Sequence, residues 1–480
     1  MTDKLDNVQQ MPTLLEFINI VSKGRFKFMH YNLLLIELLT YALAGKVSKL
    51  TVNLPQRHGK TLLFTQYFTA YYLLSNPTDN VILAGYSQGL SSDSSVLVKD
   101  YVNNYNYLSP YKPILREDSK GKNAFMFKHY NGQLKALSIH GAVLGFGANL
   151  MIIDDPIKNY KEAMSLVRQE TLRVLYFTTL KTRLERRYDG KPPIFINISQ
   201  RLNVNDLTGI IHANEPIMDV VDALKILRNG GTIPEETFVN VSIPAICEEE
   251  TDFLGRKKGE PLFPEQRSIE WLLNEKKAMG SFLFNAVYQQ NPSELEGDIF
   301  KRSWFKIINE IPDDLPTIRY WDLAASNNKG SDYSIGLKGA YDGENIYIID
   351  MFKKQYTPNK LLSAFNRTIR KDGKKVRQFI EEEPGSSGKI AIQQIKSNFP
   401  NYYIRGDRPK DNKFIRSFNA QSLAEDGRIY LLKSGWNDDF INDCVAFTGK
   451  NSSATYHDDV VDCLSGIVNK FTNRKRKIYI

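Results

Sequence analysis

Residues Leu54 to Thr61 read Leu-Pro-Gln-Arg-His-Gly-Lys-Thr, between a short strand pattern over Lys49 to Leu54 and a helical pattern from about Lys60 to Leu74. A buried strand, a polar turn and a helix in that order place a loop's backbone N–H groups at a helix N-terminus, where they can face an anion. Gly59 lets the backbone approach closely, Lys60 can reach β- and γ-phosphates, and the Thr61 hydroxyl can bind Mg²⁺. Leu54 stands where the usual pattern of such loops has its first Gly. The loop alone is therefore equally compatible with an ordinary strand–turn–helix.

Working outward, the chain alternates strand and helix patterns. Leu33 to Ala44 reads as a helix stopped by Gly45, Val81 to Tyr86 as a strand, and Ser91 to Asn103 as a helix. Leu150 to Ile153 is a short, fully apolar strand, and Ile194 to Ile198 is a further strand. This alternation predicts an α/β fold with a mainly parallel sheet. The Leu150–Ile153 run leads directly into Asp154 and Asp155, and carboxylates at a strand's C-terminal end lie where ligands bind in such sheets. The predicted roles are Asp154 on Mg²⁺ and Asp155 on the attacking water; the plain alternative is a helix cap. With both elements present in order, the reading is an ATP site. Ser199-Gln200-Arg201 follows the next strand, and polar groups there, Gln200 first, can sense the γ-phosphate. Arg57 is a candidate arginine finger in cis; Arg168, Arg173 and Arg183 are candidates acting on a neighbouring copy, with a solvated surface as the alternative for each.

Residues from about 205 to 290 are mixed, with loop-like stretches at Asn229–Glu236 and Thr251–Pro264, and the stretch QNPSELEG, Gln290 to Gly297, reads as a linker. The second half restarts with a strand, Ile318 to Leu323, then a hairpin over Ser334–Met351 turning at Asp342-Gly343. There follow a helix near Lys360–Arg370, a strand ending in Glu381, a helix, a strand near Tyr403, a basic helix from about Asn412 and a last helix from about His457. A three-strand meander followed by alternating elements is the order of a ribonuclease-H-like domain. Acids stand at element ends: Asp322, Asp332, the run Glu381-Glu382-Glu383, and Asp458, Asp459 and Asp462. Along an extended strand Glu381 and Glu383 share a face and Glu382 points away. Hard carboxylate oxygens converging from separate elements suit a pair of divalent metals about 3.5–4 Å apart; strand-end and capping acids are the alternative for any one of them. Lys410, Lys413 and Arg416 lie nearby and could contact phosphates.

At 480 residues the chain exceeds one ordinary core, and its 42% hydrophobic and 24% charged residues are the balance of a folded protein. The net charge of +9 fits a polyanionic partner without specifying one. Cys247, Cys444 and Cys463 show no paired spacing, which argues against a disulfide framework or a zinc site. The longest apolar stretch, interrupted by Glu37, is too short to cross a bilayer, and no secretory pattern opens the chain.

The stretch from about Phe28 to Thr61, with AGYSQGL (Ala84–Leu90), GFGANLMIIDDP (Gly145–Pro156) and QRLNVNDLTG (Gln200–Gly209), resembles the ATPase domain of tailed-bacteriophage terminase large subunits. There the phosphate loop commonly lacks its first Gly. YQQNPSELEGDIFKRSWF (Tyr288–Phe305) is similar to the family's junction, and EEEPGSSGK (Glu381–Lys389) and HDDVVD (His457–Asp462) to its nuclease motifs. The resemblance covers about residues 28 to 470. It implies an ASCE-type P-loop ATPase over residues 1–290, with 205–290 as subdomain and linker, and a ribonuclease-H-like nuclease over 300–480 with a basic tail, Arg474–Lys477. It assigns Lys60, Thr61, Asp154 and Asp155 to ATP hydrolysis, Asp322, Glu381 and Asp459 to the nuclease metals, and Asp332 and Asp458 to supporting roles. The expected activity is ATP-driven packaging of double-stranded DNA with metal-dependent cutting, using Mg²⁺ or, in the nuclease, Mn²⁺. Expected partners are DNA, a portal protein, a small terminase subunit and further copies in a ring. The expected location is the infected host's cytoplasm, and transiently the procapsid portal vertex. The rival reading is a helicase–nuclease of repair or recombination, which would need a second RecA-like domain.

Overall fold

The computed structural model describes residues 10–141, 146–293, 299–323, 333–356, 358–382, 386–409, 411, 413–448 and 459–472. The chain divides into two compact units, Met1–Leu272 with Asn285–Ser293, and Leu273–Phe284 with Glu294–Ile480.

The first unit is built on a nine-stranded sheet. Its strands are β1 (Lys49–Asn53), β2 (Asn80–Gly85), β3 (Leu115–Lys120), β4 (Ala124–Phe127), β5 (Gln133–Ser138), β6 (Leu150–Asp154), β7 (Ile194–Ser199), β8 (Ile217–Asp219) and β9 (Phe238–Ser242). The order is β3-β4-β5-β2-β6-β7-β1-β9-β8, parallel from β5 to β8 and antiparallel only at β3 and β4. The central strands β6, β7 and β1 are almost wholly buried because helices cover both faces. Register aligns Gly85 with Asp154, Asp154 with Ile198, and Asn53 with Ser199, so these strands end at one level and their following loops converge.

Two features depart from the sequence expectation. The helix after the phosphate loop begins with wide π-type turns over Thr61–Phe68 and becomes α-helical only at Thr69–Ser75. The mixed stretch beyond residue 205 supplies β9, a direct parallel neighbour of β1. Its burial is two-sided but its sequence, Phe-Val-Asn-Val-Ser, alternates as a half-exposed strand would.

The second unit holds a seven-stranded sheet of order β10-β16-β13-β12-β11-β14-β15. Its strands are β10 (Lys306–Ile308), β11 (Thr317–Asp322), β12 (Ser334–Tyr341), β13 (Ile346–Lys354), β14 (Arg377–Glu381), β15 (Ile404–Asp407) and β16 (Ile429–Leu432). β11, β12 and β13 form the antiparallel meander, and β14 and β15 add in parallel beside β11. Alternation along β11 sets the two faces. Trp321 turns to a cluster with Phe365, Ile369, Ile380 and Ile392. Tyr320 and Asp322 turn the other way, where the last helix, Asp459–Thr472, packs on β11 and β12. Gly466 of that helix lies directly against the Tyr320 ring; a Cβ there would come within 2.5 Å of ring carbons. Beneath Trp321, the fully buried Arg319 donates to Asp372 at 2.6 and 3.0 Å and to Asp350 at 2.6 Å. No described helix is long and apolar enough to cross a membrane.

Candidate active sites

In the first unit, Leu54 is fully buried and its N–H donates to the Ser199 carbonyl at 3.1 Å. That explains the missing Gly: the position belongs to the core rather than to the phosphate cradle. The left-handed conformations that turn the loop fall at Arg57 (φ +61°) and Gly59 (φ +76°). At Arg57 this costs about 1 kcal/mol. His58 is buried between them, Nδ1 2.8 Å from the Gln56 carbonyl, and burial holds its imidazole down to about 4.

Lys60 is nearly inaccessible, and its Nζ lies 2.8 Å from Asp155 Oδ1. Asp155 has a left-handed φ of +44°. Its backbone is fixed on both sides, N–H to the Ile198 carbonyl at 2.9 Å and carbonyl from Tyr86 N–H at 3.2 Å, which is how a strained conformation persists. The Gln200 N–H also donates to Asp155 Oδ1, at 3.2 Å. Asp154 accepts from the Thr65 hydroxyl at 2.7 Å through Oδ2, while its buried Oδ1 has no hydrogen-bond partner among the described residues. Burial and then the neighbouring Asp155 raise the Asp154 carboxyl to about 6, against the pull of Lys60, Thr65 and Thr61. An orphaned, buried carboxylate oxygen beside the Thr61 hydroxyl fits a divalent cation.

A cavity of about 450 Å³ opens over Arg57, Gly59, Lys60, Thr61, Asp155 and Gln200. A second, of about 490 Å³, shares Arg57 and Gly59 and is lined by Phe26, Tyr31, Tyr67 and Phe263 with the amides of Asn32 and Gln266. Within the Ser199-Gln200-Arg201 triplet only Gln200 reaches the first cavity. Ser199 is tied to Asn53 at 3.1 Å, and Arg201 to Asp206 at 2.9 Å. Arg168 and Arg173 are exposed and Arg183 half-buried, with Arg173 paired to Glu170. Sequence reasoning missed Thr65, one turn beyond Thr61, and the aromatic cavity, whose residues are scattered along the chain.

In the second unit, β11 and β14 are parallel neighbours, and their ends bring Asp322 beside Glu381. Asp459 opens the last helix and Asp462 lies one turn on, both buried. The Asp322 carboxyl is pushed well above its ordinary range by burial and by Glu381, Asp462 and Asp459, so the four acids form one electrostatic group. Burial also raises Asp462 to about 6, offset in part by Lys413 and Arg416. Those two bases, expected to meet phosphates, instead meet acids. Arg416 donates to Glu381 at 2.9 and 3.3 Å and to Asp462 at 2.5 Å, and Lys413 lies 2.7 Å from the other Asp462 oxygen. Among the described residues, no three acidic, imidazole or thiol groups are arranged as they stand to hold a metal ion. The donor set nevertheless has the chemistry for one: hard oxygens from two strands and a helix, with excess negative charge.

Glu382 turns away toward Gly406, as alternation predicts. Asp332, Asp458, Glu383 and Lys410 lie outside the described residues. Two acids were undervalued in the sequence: Asp462, legible as i+3 from Asp459, and Asp407, opposite Glu381 in register and bonded by Tyr320 Oη at 2.8 Å and by Lys470.

The folds and sites define a class: an α/β unit with a Lys60–Asp155 site at the ends of its parallel strands, and a ribonuclease-H-like unit with a carboxylate site. Residues 319–471 match the family model of the terminase RNaseH-like domain. No curated protein matches the chain. Among solved structures it is similar to the large terminase of the thermophilic bacteriophage D6E (11% identity, 91% of this chain and 98% of that one, TM-score 0.44). It is also similar to the bacteriophage HK97 large terminase (15%, 93% and 90%, TM-score 0.38). A third is the nuclease domain of the bacteriophage SPP1 large terminase with bound Mn (17%, 29% and 77%, TM-score 0.22).

Proposed function

We propose that this chain is the large subunit of a viral DNA-packaging motor, hydrolysing ATP to drive double-stranded DNA into a procapsid and cutting the concatemer with its second unit. The observation that carries the reading is the pairing of a buried Lys60–Asp155 contact at the strand ends of one unit with a separate four-acid cluster in a unit matched to the terminase RNaseH-like domain.

The phosphates of ATP would occupy the cavity over Gly59 and Lys60, and the base the aromatic cavity beside it. Lys60 exchanges Asp155 for the γ-phosphate, which frees Asp155 to orient water; Gln200, hydrogen-bonded to Asp155 through its N–H, responds to loss of that phosphate. Asp154 and Thr61 would hold Mg²⁺. In the second unit Asp322, Glu381 and Asp459, with Asp462, would hold divalent ions. Bound there, such ions stabilise the attacking and leaving oxygens of phosphodiester cleavage. The chain's own contribution is to fix these carboxylates on rigid element ends. Contacts to DNA during translocation should be to phosphates and tolerant of sequence. A portal protein, a small terminase subunit and further copies in a ring are the partners this role requires, in the host cytoplasm and at the portal vertex.

The test is ATP turnover with and without long duplex DNA, with strand separation followed in parallel. DNA-stimulated turnover lost in Lys60→Ala, without unwinding, is expected. Unwinding of the duplex would replace the motor reading with the helicase–nuclease one.

A further inference from the structure

The helix Lys413–Glu425 packs along the last helix and presents Lys413 and Arg416, one turn apart, to the acids of the second unit. Arg416 spans acids from two separate elements. One end of its guanidinium takes both oxygens of Glu381, at a strand end, and Nη2 also takes Asp462, on the helix. Its side chain is 11% exposed, and its Nε is buried with no hydrogen-bond partner among the described residues. The group is thus held by the acids rather than by a full shell of acceptors. A guanidinium stays charged at any relevant pH, so protonation cannot release it. It occupies the place of a cation bridging Glu381 and the last helix, so a divalent ion at that place would meet both its positive charge and its bulk.

We propose that Arg416 is an internal cation filling one of the two metal positions of the nuclease site. The resting site then takes a single divalent ion, at Asp322 and Asp459, and admits a second only when Arg416 leaves Glu381. A DNA phosphate is the natural displacing partner, because its paired oxygens match the guanidinium fork as a carboxylate does. Substrate entry would thereby complete the metal site, and an empty site would stay idle while the ATPase turns. This inference rests on the metal-dependent nuclease reading and adds its regulation.

The experiment is a Mn²⁺ titration of the full chain without nucleotide or DNA, counting bound ions by electron paramagnetic resonance. The ions that count are those lost when Asp322 and Glu381 are both replaced by alanine. One such ion in the wild type, two in Arg416→Gln and one in Arg416→Lys, which keeps the charge, are expected. Two ions in the wild type overturn the inference while leaving the metal site intact, and so does one ion in a folded Arg416→Gln. If Arg416→Gln does not fold, the wild-type count decides alone. No ions in wild type or variant would overturn the nuclease reading itself, and the inference with it.

Discussion

Replacing Gly466 by alanine should separate the two proposed activities through geometry alone. The new Cβ would stand 2.5 Å from three carbons of the Tyr320 ring, where carbon atoms ordinarily meet at about 3.5–4.0 Å. Tyr320 cannot give way, because it is buried and its hydroxyl is bonded to Asp407. The last helix must therefore retreat by about 1 Å, carrying Asp459 and Asp462 away from Asp322. Overpacking of this kind costs about 1–3 kcal/mol, and the better helix propensity of alanine returns about 1 kcal/mol. The net loss of about 0–2 kcal/mol leaves a folded protein. A misplacement of about 1 Å at a reacting centre costs about 100-fold in rate. Plasmid cleavage with Mn²⁺ should fall by that factor, ATP turnover should hold, and the thermal midpoint should drop by a few degrees at most. Cleavage at the wild-type rate would show that the last helix does not position the metal acids, and equal loss of both activities would show a general folding defect.

Further outcomes follow from individual side chains. Leu54→Gly, which restores the common phosphate-loop pattern, should destabilise the first unit by about 3 kcal/mol or more, because Leu54 is core; thermal denaturation checks it. His58 is held near 4 while the unfolded chain titrates near 6.5, so below pH 6.5 the unfolded state takes up a proton that the folded state refuses. Its contribution is absent at pH 7, removes about 2 kcal/mol of stability by pH 5, and approaches about 3 kcal/mol near pH 4. Denaturant midpoints at pH 7 and pH 5 should therefore lie closer together in His58→Gln. Arg319→Leu leaves Asp372 buried with only Gln378 and Lys338, and should cost about 3–5 kcal/mol, with partial recovery on adding Asp372→Asn.

What the sequence made legible follows physical type. Strands such as Leu150–Ile153, fully apolar, and Ile194–Ile198, apolar but for Asn197, stand out because both faces are buried, and Asp154 and Asp155 after the first are placed as at a ligand-binding edge. β9 and β5 were not legible, since Phe238–Ser242 and Gln133–Ser138 alternate polar residues inside a mainly buried sheet. At the phosphate loop, Leu54 looked like a departure from the pattern; its burial shows a loop that turns later, at Arg57 and Gly59. In the second unit the end-of-element acids could be picked out by position. The pairing of Arg416 with Glu381 and Asp462 could not, because it depends on how two helices far apart in the chain pack together. The same holds for the cavity of Phe26, Tyr31, Tyr67 and Phe263, whose members carry no local signal.

The most direct test of two independent sites measures plasmid cleavage in Mn²⁺ or Mg²⁺ and ATP turnover side by side, for the wild type, Asp322→Ala and Lys60→Ala. Two separate active sites predict that Asp322→Ala stops cutting and spares ATP turnover, while Lys60→Ala stops ATP turnover and spares metal-dependent cutting. Wild-type cutting by Asp322→Ala would contradict the placing of the nuclease centre at the end of β11.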